Sequence, residues 1–172
     1  MKKIFSTVVL ICAALAAMAQ VRVATPNIEL ILNAEPGQEL QIAYFGGRLA
    51  DGDLANLQAA GAPNHNAYPP YGFNCPSEAS LAVTHMDGNM STVLKVESVA
   101  QADEPSAKVT RIRLKDTVYP FYVTVCYRAY QDVDMIETWT EIENLEKKPV
   151  VLTRFDSGYL PIRFGDVWIS HL

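Results

Sequence analysis

Residues Lys115 to Asn144 read KDTVYPFYVTVCYRAYQDVDMIETWTEIEN, and their alternation decides the fold. Successive side chains of an extended chain point to opposite sides, so Phe121, Val123, Val125, Tyr127 and Ala129 share one face. Tyr122, Thr124, Cys126, Arg128 and Tyr130 share the other. Both faces carry bulk, as expected of a strand in a sheet packed on one side and partly covered on the other. A short acidic turn around Gln131 to Val133 leads into a partner strand, Asp134 to Asn144. There Ile136, Thr138, Thr140 and Ile142 oppose Met135, Glu137, Trp139, Glu141 and Glu143. β-Branched residues at alternate positions favour a strand over a helix in this polar segment.

The same period extends in both directions. Downstream, Pro149 can open a strand over Val150 to Tyr159 without breaking an internal ladder. Upstream, Lys108 to Lys115 alternates Val109, Arg111, Arg113 and Lys115 with Thr110, Ile112 and Leu114, which predicts one partly wet face. A polar turn containing Pro105 separates it from a strand over Ser91 to Ala100, and Ala79 to Thr84 precedes the turn His85-Met86-Asp87-Gly88-Asn89. Gly88 supplies positive φ there without side-chain cost. Near the start, Val21 to Ala24 and Asn27 to Leu32 flank Pro26, and Gln38 to Tyr44 follows Pro36-Gly37. Roughly eight to ten strands with almost no helix imply an all-β fold, an antiparallel β-sandwich of two packed sheets.

One segment departs from the pattern. Phe45 to Asn74 contains Gly46, Gly47, Gly52, Gly61 and Gly72 with Pro63, Pro69 and Pro70. Asp53 is placed to cap a short helix through Ala60 by accepting a backbone N–H. A loop this long in a compact domain is unusual unless it binds something or covers a neighbour, with simple decoration as the alternative. Tyr68, Tyr71 and Phe73 are its candidate contact residues, substrate-proximal or interdomain, because flat rings pack on sugar C–H faces as readily as in a core. Trp139, later in the chain, reads as a packing residue.

Residues 1–19 have the form of a cleaved signal peptide. Lys2 and Lys3 are followed by an apolar stretch to Ala17, and Ala17-Met18-Ala19 is a small-x-small cleavage site. The stretch is shorter than the roughly 20 residues of a membrane span, so no stable membrane anchor is expected. Export to the periplasm or the extracellular space follows, with Gln20 to Leu172 long enough for one domain. The 172-residue chain carries 14 Lys and Arg against 19 Asp and Glu, a net charge of -5, and loss of Lys2 and Lys3 makes it more acidic. That field disfavours nucleic acid and anionic membranes and leaves neutral ligands such as sugars open. Cys75 and Cys126 permit one disulfide, although Cys126 sits in a patterned strand and reads as a core filler.

Signs of chemistry are sparse. His65, His85 and His171 lack metal-ligand spacing, and His85 with Asp87 in one turn supplies only two ligands, so neither metal nor cofactor is expected. Ser157-Gly158 has no helix after it to form a nucleophile elbow, and phosphate-loop and dinucleotide fingerprints are missing. Asp132, Asp134, Glu137, Glu141, Glu143, Asp156 and Asp166 are numerous, but glycosidic hydrolysis needs one matched pair. Glu137, Glu141 and Glu143 on one strand face read as a solvated edge or an interdomain surface, so no catalytic residue is assigned.

YPFYVTVCYRAYQDVDMIETW at Tyr119 to Trp139, continuing through TEIENLEKKPVVLTRFDSGYL, resembles the N-terminal domain of glycoside hydrolase family 36 α-galactosidases, the melibiase-like enzymes. AYFGGRL at Ala43 to Leu49, AYPPYG at Ala67 to Gly72 and EASLAVTHMDGN at Glu78 to Asn89 are similar in the same order. The resemblance implies a supersandwich-like domain ahead of a (β/α)₈ barrel that carries both catalytic aspartates. It also implies a retaining enzyme acting on galactose-containing oligosaccharides, with homo-oligomerisation supported by this domain. None of the barrel motifs can be placed on this chain, so residues 20–172 are expected to be inactive alone. Phe73-Asn74-Cys75-Pro76-Ser77 departs from the acidic-aromatic-basic pattern that follows YPxYG in many members. The rival reading is a free-standing carbohydrate-binding or structural β-sandwich module.

Overall fold

The computed structural model describes residues 20–50, 52–59, 64–72 and 78–161. Residues 1–19, on which the signal-peptide expectation falls, and Phe73 and Cys75 lie outside them. The elements are β1 (Gln20–Ala24), β2 (Ile28–Asn33), β3 (Gln41–Gly47), α1 (Asp53–Ala59), β4 (His65–Asn66), β5 (Leu81–Thr84), β6 (Leu94–Glu104), β7 (Ala107–Asp116), β8 (Phe121–Tyr130), β9 (Ile136–Asn144) and β10 (Val151–Phe155). They form a front sheet β6-β7-β8-β9, a rear sheet β1-β2-β3-β4 and a pair β10-β5. Every one of these strand pairs is antiparallel.

The alternation of β8 is realised in its packing. Phe121, Val123 and Val125 are 0 % exposed, and Tyr127 and Ala129 are buried with them. They share one core with Ile112 and Leu114 of β7, Val21, Val23, Leu30, Leu32 and Ile42 of the rear sheet, and Leu81 and Val83 of β5. The fold is therefore all-β and sandwich-like. Burial of each such side chain contributes about 1.5–3 kcal/mol.

The outward face of the front sheet is held by ion pairs. Arg113 bridges Glu97 at 2.9 Å and Glu143 at 2.5 Å, and Arg128 bridges Glu104 at 3.1 Å and Glu137 at 2.6 Å. Glu97 reaches Arg113 from a bulge between Val96 and Ser98. Trp139 lies half-buried on this charged face rather than in the core, with the guanidinium of Arg128 5.2 Å and that of Arg111 5.8 Å from its ring centre. Cys126, opposite Trp139 in the ladder, is a free buried thiol that burial pushes up to about 12. It is accordingly a packing group and a poor nucleophile.

Several boundaries differ from the sequence expectation, each for a local reason. β6 begins at Leu94 rather than Ser91 because the preceding N–H groups are spent elsewhere. Ser91 donates to the Asn89 side chain, Thr92 to the Tyr71 carbonyl and Val93 to the Asp116 carboxylate. β3 starts at Gln41 because Gly37 and Gln38 exchange backbone bonds with Val96. β10 stops at Phe155, beyond which the Asp156 carbonyl accepts the hydroxyls of Tyr68 and Thr140. The Asp53 carboxylate accepts the Ala50 N–H, outside the helix, instead of capping α1 from within.

The long loop covers a neighbour. Glu29 and Ile31 alternate with the core residues Leu30 and Leu32 and face the back of the rear sheet, yet both are 0 % exposed. The Glu29 carboxylate accepts the Leu49 N–H at 2.8 Å and meets Arg22 at 3.5 Å, which draws the chain after β3 across that back face. Leu54 of α1 is buried as well.

This packing assigns unequal weights to adjacent residues. Phe121→Ala is expected to cost about 3–5 kcal/mol, whereas Thr124→Ala on the outward face costs less than about 1 kcal/mol. Urea midpoints of the two variants check the difference, and equal midpoints would contradict the assigned faces.

Candidate functional site

Four turns meet at one end of the sandwich. The start of β6 pairs with the end of β7, the start of β8 with the end of β9, and the end of β5 with the start of β10, as Leu94↔Asp116, Phe121↔Asn144 and Thr84↔Val151 show. The turn after β5 therefore faces the turns at residues 117–120 and 145–150, and Tyr71-Gly72 joins them. Tyr71 donates its N–H to Leu81 at 2.8 Å and accepts from Thr92 at 3.2 Å. Gly72 has φ +92°, and a Cβ there would lie 2.7 Å from Ser91 Cα, so both conformation and close approach require glycine.

Buried polar groups fasten the turns together. His85 is 3 % exposed. Its Nδ1 is 2.7 Å from Glu146 Oε1 and its Nε2 is 3.1 Å from Thr92 Oγ1. Glu146 Oε2 accepts the Met86 N–H at 3.0 Å. The Tyr119 ring stacks on the imidazole at 3.8 Å, and Phe121 meets it edge-on at 5.7 Å. Asp116, 1 % exposed, accepts the N–H groups of Val93, Val118 and Tyr119.

A hydroxyl, an imidazole and a carboxylate in this order are the parts of an activated-nucleophile relay. Here they are sealed. Thr92 is 1 % exposed, so no acyl or glycosyl group can reach its Oγ1, and the triad serves as a fastener. Sequence reading allowed His85 and Asp87 to meet in one turn, without making them a metal site. The structure separates them: the imidazole turns inward to Glu146, whereas Asp87 turns outward and accepts the Tyr119 hydroxyl at 2.8 Å. The N–H of Asn89, together with that hydroxyl, holds the Asp87 carboxyl below its usual range. Glu146, Thr92 and Asp116 carried no signal in the sequence, because their partners lie on other turns.

The sequence candidates divide. Tyr68 is 1 % exposed and donates its hydroxyl to the Asp156 carbonyl at 3.0 Å, which anchors the loop to the core; burial raises its pKa. Tyr71 is 50 % exposed and presents its ring at the turn end. Phe73 is outside the described residues.

A separate cleft of about 490 Å³ opens between the sheets, lined by Leu30, Ile42, Phe45, Tyr127, Ile136 and Thr138 among others. Among the described residues its lining carries no carboxylate. Among the described residues no group of three His, Cys, Asp or Glu side chains is placed to hold a metal, and no helix is long and apolar enough to cross a membrane.

Fold and turn end define an all-β, sandwich-like domain whose turns are fastened by buried polar groups at one end. The model of the glycosyl hydrolase family 36 N-terminal domain matches residues 38–172, and the chain belongs to that family. Solved structures agree on the fold. GH36 α-galactosidase AgaA of Geobacillus stearothermophilus superposes with a TM-score of 0.68 at 18% identity over 81% of this chain. An AgaA variant in complex with raffinose gives 0.69 at 19%, and the α-galactosidase of Lactobacillus brevis 0.67 at 15%. The chain spans 24% of the AgaA chain and 23% of the Lactobacillus brevis chain, about a quarter of their length. Comparison with curated proteins returns no significant match.

Removing the fastener tests this description. Glu146→Ala leaves the His85 imidazole and the Met86 N–H without their carboxylate, and a loss of about 1–3 kcal/mol is expected. Hydrogen exchange is expected to rise at residues 85–92 and 145–147 and to stay unchanged at the β7–β8 centre; uniform acceleration would contradict a local role.

Proposed function

We propose that this chain is the N-terminal, non-catalytic domain of a secreted α-galactosidase that releases terminal α-D-galactosyl residues from oligosaccharides. The match of residues 38–172 to the family's N-terminal domain carries this reading. In it, residues 1–19 are a cleaved signal peptide and residues 20–172 belong to a supersandwich-like domain ahead of a (β/α)₈ barrel. Retaining hydrolysis uses two carboxyl groups about 5–5.5 Å apart, one attacking the anomeric carbon and one protonating the departing oxygen. In the proposed enzyme both reside on the barrel. The loop of Tyr68, Tyr71 and Phe73 then lies against the barrel or near bound sugar, with Tyr71 as its exposed ring.

The charge chemistry supports a supporting role. Glu137 and Glu143 are paired to arginines, Asp116 and Glu146 are bound by backbone N–H groups, and Asp87 is held in its ionised form. A catalytic acid needs a shift opposite to that of Asp87.

Purified residues 20–172 are expected to give no measurable turnover of an α-galactoside, while a longer polypeptide that includes the barrel hydrolyses it. Turnover by residues 20–172 would overturn the assignment. Calorimetric binding of galactose or melibiose by residues 20–172 would favour the free-standing binding module instead. Expressed with its leader in a secreting host, the protein is expected to begin at Gln20, and N-terminal sequencing decides this.

A further inference from the structure

The cleft of about 490 Å³ between the sheets holds a polar group that the fold leaves unanswered. Tyr127, on the inner face of β8, lines the cleft and is 4 % exposed. Its hydroxyl makes no hydrogen bond, and burial, then the neighbouring Cys126, raises its pKa, so the phenol keeps a proton to donate. Nor is that hydroxyl sealed in the core. Among the described residues Ser80 Oγ is the fully enclosed side-chain oxygen without a partner, so the Tyr127 oxygen is reached from the cleft that its side chain lines. Buried polar groups are nearly always bonded, and an exception on a cleft wall points to a partner from outside the fold.

The walls select the class of that partner. Leu30 and Ile42 line the cleft from the rear sheet and Ile136 from β9, while Phe45, 46 % exposed, adds an aromatic ring on the open side. Thr138 stands opposite Tyr127 in the ladder, and a Cβ at Gly158 would lie 2.5 Å from its Oγ1, so the chain after β10 packs directly on β9 and bounds the space. Among the described residues no charged side chain lines it. A charged ligand would lose its water without gaining a counter-charge, and a polyhydroxylated one would press most of its hydroxyls against aliphatic carbon. The volume falls within the roughly 300–1,000 Å³ of small-molecule pockets, and apolar cavities accept small aromatic molecules.

We propose that the cleft between the sheets binds an uncharged, largely apolar small molecule whose one polar oxygen accepts the Tyr127 O–H. Three observations commit it to that occupant: the aliphatic walls, the uncharged lining and the unpartnered phenol that opens on it. The site is built from β2, β3, β8, β9 and the chain after β10, apart from the fastened turns, and it stands whether or not the chain belongs to a longer enzyme.

The probe is 2-naphthol, a neutral two-ring alcohol, with naphthalene as the same skeleton lacking the hydroxyl. Titrated into the isotope-labelled 172-residue chain, 2-naphthol is expected to shift the amide resonances of residues 42–45, 127 and 136–138 and to leave those of residues 85–92 in place. Tyr127→Phe removes the hydroxyl alone. Its urea midpoint is expected to be unchanged or raised, its affinity for 2-naphthol to fall about three- to tenfold, and its affinity for naphthalene to match that of the unaltered chain. No saturable binding, equal affinity of the two proteins for 2-naphthol, or shifts centred elsewhere would each overturn the proposal. Binding by a chain ending at Pro161 but not by the 172-residue chain would overturn it in favour of residues 162–172 as the occupant. Galactose is expected to leave the same resonances unmoved, and a shift of them by galactose would overturn the apolar ligand class.

Discussion

Burial of the inner face of β8 is the constraint from which the other features follow. Phe121, Val123, Val125 and Tyr127 must all enter the core at once, and a strand has a period of two, so a slip of one residue would expose every one of them. The outward face then inherits Tyr122, Thr124, Cys126, Arg128 and Tyr130. Arg128 stands directly opposite Glu137 in the ladder with β9. Exposed ion pairs add little stability, about 0–1 kcal/mol each. Their arrangement nevertheless opposes a register shift, since a slipped β9 would lose the Arg128–Glu137 and Arg113–Glu143 pairs together. Hydrophobic burial supplies the energy and the charges reinforce the alignment.

A sandwich end has a different problem, because its turns carry N–H groups that no ladder satisfies. Buried polar groups without partners are costly, and those at this end are supplied by side chains. Asp116, the last residue of β7, collects three N–H groups, and Glu146 takes one together with the His85 imidazole. Once the turns are fixed in this way, exposed Met86, Met90 and Val118 have no inexpensive route inward, and they share this end with exposed Asp87, Asn89 and Lys147.

The parts legible in the sequence are those determined by neighbours along the chain. The two faces of β8, the Gly88 turn and the short helix near Asp53 depend on residues within a few positions. The fastener does not: His85 and Glu146 are separated by 61 positions, and nothing near either predicts the other. Strand ends were similarly hidden, since β6 starts late partly because Tyr71 and Asp116 take the N–H groups of Thr92 and Val93. Trp139 shows the limit of composition. An indole reads as core, but β9 is an edge strand whose outward face meets two arginines, and stacking under guanidinium groups stabilises it there.

Two carboxylates, Asp87 and Asp134, are set against the role of a catalytic acid. A glycosidase acid must hold a proton near neutral pH, which requires desolvation or a neighbouring negative charge. Asp87 and Asp134 experience the reverse. The side-chain amide and N–H of Asn27 with the Thr25 hydroxyl lower the pKa of Asp134, as the Asn89 N–H and Tyr119 hydroxyl lower that of Asp87. Such groups favour folding when ionised, and that contribution fades as pH falls through their depressed values. They are built to remain charged and to hold turns in place. In the proposed enzyme Asp87 and Asp134 therefore support turns, and neither is the group that protonates the glycosidic oxygen.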